Sequence, residues 1–287
     1  MMYAKRLGKT KRAGYVLSLQ RVINILMPLA LLALLLVLLT IQAQPREVIP
    51  MAIEYPNLSV MDFGVMPAPL ANLGTRSIGV WLKIDGTASG GHAILNGYVP
   101  PSGPSSDKWS FYYDDAGKLH FWFPAPGGNG WWYANKTMTV GTIYFVGVSY
   151  DKGSVANDPI FYDSTGPLTT IESSAPATTM PDDSAANLFS GGIYGYANLS
   201  MMTILDIQMA NVIWTAAEFA ELATGRCVRI MRGDVFHPLL YGAAGLPVFG
   251  GATLGAGNKV IDQISGVQGT PTGSPIGRAE TYLSVCR

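Results

Sequence analysis

Between residues 109 and 133 the chain reads WSFYYDDAGKLHFWFPAPGGNGWWY, and ten of these residues are Trp, Tyr or Phe in a sequence that is 10% aromatic overall. Exposed indole and phenol rings can carry the apolar face of a sugar, while neighbouring Asp, Asn and His side chains bond its hydroxyl groups. Core packing is the competing use of the same residues. Period-two alternation divides the cluster between the two. Residues 109–114 and 118–123 read as strands joined by Asp115-Ala116-Gly117, with glycine where a left-handed residue is wanted. Trp109, Phe111 and Tyr113 then share a face with Leu119, Phe121 and Phe123, and these six are expected in the core. Tyr112, His120 and Trp122 fall on the other face, and Trp131, Trp132 and Tyr133 follow the loop Gly127-Gly128-Asn129-Gly130, whose glycines allow mobility. Tyr112, His120, Trp122, Trp131 and Trp132 are the candidate carbohydrate-binding residues, with Tyr133 beside them. The same face is open to cover by a stalk, a tail or a neighbouring subunit.

Catalysis has less to draw on. Retaining glycoside hydrolysis needs two carboxylates about 5–5.5 Å apart. The six glutamates are Glu47, Glu54, Glu172, Glu218, Glu221 and Glu280, and none lies in a clear core strand with a second acid two residues away. The best-placed strand acid, Asp206, has Gln208 and Ala210 on its own face and is expected to make a structural hydrogen bond. No Gly-x-Ser-x-Gly elbow occurs, and His92, His120 and His237 lack the context of a triad. No catalytic residue is assigned, and the chain is expected not to be an enzyme. No CxxC, HExxH or Cys/His cluster occurs, so no metal site or cofactor is expected.

The elements that position the aromatics are strands. In SIGVWLKID, Ile78, Val80, Leu82 and Ile84 alternate with Gly79, Trp81 and Lys83. GTIYFVGVSYD is apolar on both faces, as a central strand should be. Thr215 and Glu218 form a capping box ahead of one short helix that Gly225 ends. About ten short strands and this helix predict an all-β, two-sheet antiparallel sandwich. Five prolines within residues 43–76 argue against a helix there, and residues 42–60 read as a stalk or linker.

Six basic residues and no acid fall in the first 44 positions, leaving 13 basic and 19 acidic residues for the remainder. A body of that sign has no electrostatic reason to bind nucleic acid. After the basic segment 1–21, residues 22–41, from Val22 to Ile41, are VINILMPLALLALLLVLLTI, without a charge. Twenty helical residues span about 30 Å, the thickness of a bilayer's hydrocarbon core. The favoured reading is a membrane anchor with the body outside the cytoplasm. A helix that bundles with copies of itself in a virion or filament, and a leader cleaved near Ile41-Gln42-Ala43, remain open. In an exported chain the two cysteines, Cys227 and Cys286, are candidates for a disulfide.

The strand order YFVGVSYD, DPIFYD, SGGIYGY and TILDIQMANVIWTAAEFAEL resembles the laminin-G-like, concanavalin-A-like jelly-roll family over about residues 60–225. Asp206, Ile207, Asn211, Thr215, Glu218 and Leu222 occupy the places of its strand-to-helix motif. The family's usual turn is replaced here by Tyr162-Asp163-Ser164-Thr165-Gly166. The tail, Asp262 to Gly273, is similar to a segment that accompanies such domains, and residues 227–287 are expected to pack on the sandwich of residues 61–226. The resemblance implies a module of secreted, cell-surface or phage structural proteins, within a family that holds both glycan binders and hydrolases. It also allows calcium at loop acids such as Asp114, Asp115, Asp182 and Asp183, without a diagnostic spacing. Three functions follow in order: a displayed homo-oligomeric adhesion or glycan-recognition module, a virion or filament decoration, and a glycoside hydrolase.

Overall fold

The computed structural model describes Met27 and residues 51–55, 60–66, 68–86, 90–99, 107–192, 201–224, 231–241, 252–253, 259–262, 264, 268–272 and 276–279. Cys227, Cys286 and residues 22–41 other than Met27 lie outside the described residues. Among the described residues no helix is long and apolar enough to cross a membrane. The chain divides into two units, Met1–Glu47 and Val48–Arg287; of the first, Met27 alone is described, in a helix.

Strands β1 (Met51–Tyr55) and β2 (Val60–Val65) join opposite sheets. β3 (Thr75–Ile84) belongs to the first sheet, whereas β4 (His92–Tyr98), β5 (Asp107–Tyr113), β6 (Lys118–Phe123) and β7 (Gly130–Thr137) form a meander in the second. β8 (Ile143–Asp151), β9 (Ile160–Asp163) and β10 (Gly166–Pro167) return to the first sheet beside β3. β11 (Thr170–Ser174) crosses to pair with β7, and β12 (Asn187–Ser190) fits between β4 and β2. β13 (Met202–Ala210) pairs with β3 and β1, and helix α1 (Ala216–Leu222) follows it. β14 (Asp234–Phe236) then pairs back on β13. Of the remaining strands, β15 (Pro238–Tyr241), β17 (Lys259–Asp262) and β18 (Gln268–Thr272) extend the second sheet beyond β2. β16 (Ala252–Thr253) and β19 (Ile276–Ala279) extend the first beyond β1. The result is an antiparallel two-sheet sandwich, ordered β10-β9-β8-β3-β13-β1-β19-β16 and β11-β7-β6-β5-β4-β12-β2-β18-β17-β15.

Residues 51–55, placed in a stalk by the sequence, are β1, held between β13 and β19.

Alternation builds the core. The six hairpin residues expected inside are all buried, and each buried apolar side chain contributes about 1.5–3 kcal/mol. Rings from the two sheets meet there: Phe121 lies 5.2 Å from Tyr150, and Phe63 lies 4.9 Å from Phe236. Arg76 occupies an inward position of β3, two residues before Ile78, and is 1% exposed. Its Nη2 donates to Asp183 Oδ2 at 3.1 Å, which also accepts from Trp109 Nε1 at 2.7 Å. Asp183 Oδ1 accepts from the Asn72 backbone N–H at 2.6 Å.

The outer face of the first sheet is closed by α1. Thr215 and Glu218 form the capping box that starts it. Gly79 and Gly147 are cross-strand partners and leave a flat patch, where Phe219 sits against Gly147 and Leu222 with Trp214 over Gly79. Phe219 also stacks on Tyr162 with ring centres 4.0 Å apart.

Candidate functional site

The outer face of the second sheet carries two cross-strand rows. One row is Ser110, Trp122 and Trp131 on β5, β6 and β7; the next is Tyr112, His120 and Tyr133. Directly opposed residues in a sheet have Cβ atoms about 4.5–5.5 Å apart, so each row is continuous side-chain contact. Trp131 is 40% exposed; Trp122, Tyr112 and Tyr133 are half-buried.

His120 sits at the centre and is buried. Its ring stacks on Tyr112 at 4.8 Å with a 10° interplanar angle, and the Tyr133 ring leans against it at 5.6 Å. Nδ1 accepts from the Trp131 indole Nε1 at 3.0 Å, and Nε2 is 3.0 Å from Asp114 Oδ2. Asp114 Oδ1 accepts from the Lys118 backbone N–H at 2.7 Å, and Lys118 Nζ lies 4.9 Å over the Tyr133 ring. Burial pushes the His120 pKa below its ordinary value; Asp114 acts against that shift and Lys118 adds to it. Burial likewise raises the Tyr112 phenol, with the Trp131 indole working in the opposite direction.

Four of the five candidate residues thus share a face, and Trp132 does not. Trp132 is fully buried, with Nε1 donating to Asp158 Oδ1 at 2.8 Å and its ring against Phe123 and Tyr150. Consecutive strand residues point to opposite faces, so Trp131 and Trp132 cannot serve one surface. His120 stays in the cluster but offers no stacking face, because Tyr112 and the β7 rings enclose it. The loop ahead of β7 is anchored rather than free: Gly128 N–H donates to Ala125 O at 3.2 Å, and its own carbonyl accepts from Ala177 N–H at 3.1 Å.

Among the described residues no group of three His, Cys, Asp or Glu is placed to hold a metal ion. Asp183 and Asp114 are committed to the bonds above, and Asp182 accepts from the Ser184 backbone N–H at 2.8 Å. Asp206 Oδ1 pairs with His237 Nε2 at 2.8 Å, and Oδ2 accepts from Gln208 Nε2 at 3.3 Å. Alternation puts Asp114 and Lys118 on this face as well, but the bond from Asp114 to His120 and the seat of Lys118 over Tyr133 escape sequence reasoning. The i, i+4 and i, i+6 spacings across the hairpin turn were the available signal.

No protein-family model matches the sequence, and no curated protein matches it. Among solved structures the chain is similar to the heptameric SAP-like pentraxin of Limulus polyphemus, at 12% identity and a TM-score of 0.53 over 83% of this chain and 99% of that one. Further matches are the sialidase CBM40 of Ruminococcus gnavus, at 13% identity and 0.49 over 60% and 96%, and the Trypanosoma rangeli sialidase, at 15% and 0.38 over 52% and 22%. The first of these likenesses places the described sandwich among jelly-roll folds.

Proposed function

We propose that this chain is a non-catalytic jelly-roll module that recognises carbohydrate on the outer face of its second sheet. Trp131 and Trp122 supply the stacking surface, flanked by Tyr112 and Tyr133. One observation carries the reading: a large indole, 40% exposed, is fixed in orientation by a bond from its N–H to a buried histidine. A ring held in place loses little conformational freedom when a ligand lands on it, which is what a recognition surface needs. The acids of the sandwich support the same reading, since Asp206, Asp114 and Asp183 are all engaged in internal hydrogen bonds. The display of the module on a membrane, or on a particle as a homo-oligomer, belongs to the proposal through residues 22–41 and rests on their sequence. A glycan array probed with the full-length chain tests the reading. Trp131→Ala should weaken a sugar found there by about 30-fold, the equivalent of roughly 2 kcal/mol. Silence across the array, or a Trp131→Ala variant that binds as tightly as the parent, would remove the surface from consideration.

A further inference from the structure

The hydrogen bonds around His120 allow one protonation state. An indole nitrogen is a donor only, so the Trp131 Nε1 to His120 Nδ1 bond at 3.0 Å requires Nδ1 to be an acceptor. The imidazole is therefore neutral and carries its proton on Nε2, directed at Asp114 Oδ2 3.0 Å away. A second proton on His120 would set N–H against N–H at Trp131 and abolish the bond that fixes the indole.

We propose that His120 is a positioning residue for the Trp131 surface, and that protonation of Nδ1 releases the indole and weakens carbohydrate binding in acid. The binding half rests on the carbohydrate reading; the release does not. The charged or titratable groups facing the imidazole come from three elements. Asp114, the residue after β5, favours the imidazolium. Lys118, on the same strand as His120, opposes it. Tyr112 of β5 stacks on one side of the ring with its oxygen beside the Trp131 indole, and Tyr133 of β7 closes the other. Burial outweighs Asp114 and holds the histidine below its ordinary 6.5. For a base with a depressed pKa, the neutral, bonded arrangement is complete at neutral pH and is lost as pH falls through the folded-state value.

Nitrogen-15 spectra of the full-length chain test this, with the Trp131 indole signal assigned from Trp131→Phe. At about pH 7.5 the His120 ring should be the Nε2–H tautomer, and on acidification the Trp131 indole signal should move with an apparent pKa below the ordinary histidine value. His120→Asn offers a non-titrating carbonyl oxygen near the Nδ1 position and should hold the indole signal at its neutral-pH place throughout. An Nδ1–H tautomer, a Trp131 signal that does not titrate, or a titration that survives in His120→Asn would overturn the assignment. Affinity for a sugar identified on the array is read separately. It should weaken about fivefold on acidification, the equivalent of one lost hydrogen bond, and stay level in His120→Asn; a level parent would sink the binding half. If no sugar binds at any pH while the indole titrates as stated, the carbohydrate reading falls and the positioning role stands.

Discussion

Removal of the Asp183 carboxylate should be among the most damaging single changes in the sandwich. Asp183 is fully buried beneath Arg76, itself 1% exposed, and it accepts from Arg76 Nη2, Trp109 Nε1 and the Asn72 backbone N–H. The Arg76 guanidinium has no second hydrogen-bond partner: its Nε and Nη1 make no hydrogen bond among the described residues, and the Trp109 ring lies 4.7 Å from its Cζ. Burial pushes the guanidinium pKa down and Asp183 pushes it back up. Asp183→Ala would therefore strand a buried cation and two further donors. Breaking a buried pair from one side costs about 3–5 kcal/mol, roughly 10 °C in Tm for a domain of this size. Asp183→Asn should be nearly as harmful, although it preserves shape. Its amide nitrogen must face either Asn72 N–H or the Arg76 and Trp109 donors, so donor meets donor in both orientations. Urea unfolding of the full chain, followed by tryptophan fluorescence, measures both variants. A loss under about 1 kcal/mol for Asp183→Ala would refute the reasoning, because it would mean that Arg76 finds water once its partner is gone.

Two other perturbations follow from the same structure. A Cβ at Gly147 would lie 2.4 Å from a Phe219 ring carbon and 2.9 Å from the Ile78 carbonyl, so Gly147→Ala should lift α1 from the first sheet and cost about 1–3 kcal/mol in urea unfolding; an unchanged midpoint would mean that the helix is not seated there. Burial pushes the Asp107 carboxyl up to about 6, and its Oδ1 has no hydrogen-bond partner among the described residues. The folded state then holds a proton that the unfolded chain has already released, and stability declines as pH rises from the ordinary 3.8 to about 6. Asp107→Asn should raise the urea midpoint at about pH 7 and leave it unchanged below about pH 4; an equal effect at both would dismiss the charge as the cause.

The parts of this fold legible in the sequence are those where one local rule was enough. Residues 109–123 could be sorted because their two faces differ in composition and Gly117, at φ +77°, fixes the turn between the strands. Helix α1 was readable because Thr215 and Glu218 bond each other within one turn. Trp132 was misplaced when residue type was allowed to outweigh alternation, a rule already in use one strand earlier. β1 hid because a five-residue strand between two prolines has the composition of a linker, and only its partners β13 and β19 make it a strand. The Arg76–Asp183 pair spans 107 residues, and Asp183 falls in a stretch rich in Pro, Ser and Thr that reads as exposed loop. Pairings of that range are set by how the sheets stack, and no local spacing encodes them.

The two outer faces explain why recognition is proposed for one sheet and not the other. On the first sheet the cross-strand partners Gly79 and Gly147 present backbone instead of side chains, so a short helix can approach closely and bury Phe219 against them. The equivalent surface of the second sheet is filled by Tyr112, His120, Trp122, Trp131 and Tyr133. Rings of that size keep any helix at a distance and must satisfy their own polar atoms, which the Trp131–His120–Asp114 chain does. The indole N–H is spent inward, and what Trp131 turns to solvent is the apolar part of its ring. Under the proposed function, a surface built this way would suit ligands with an apolar face and hydroxyl groups at the rim. It disfavours the flat, uniformly apolar contact expected between copies of a structural subunit, because Asp114 and Lys118 lie beside the rings. Substituting Gly147 and Trp131 therefore separates the two roles: the first should damage stability without touching the second sheet, and the second should damage binding by more than it lowers stability, since its loss removes one hydrogen bond to His120.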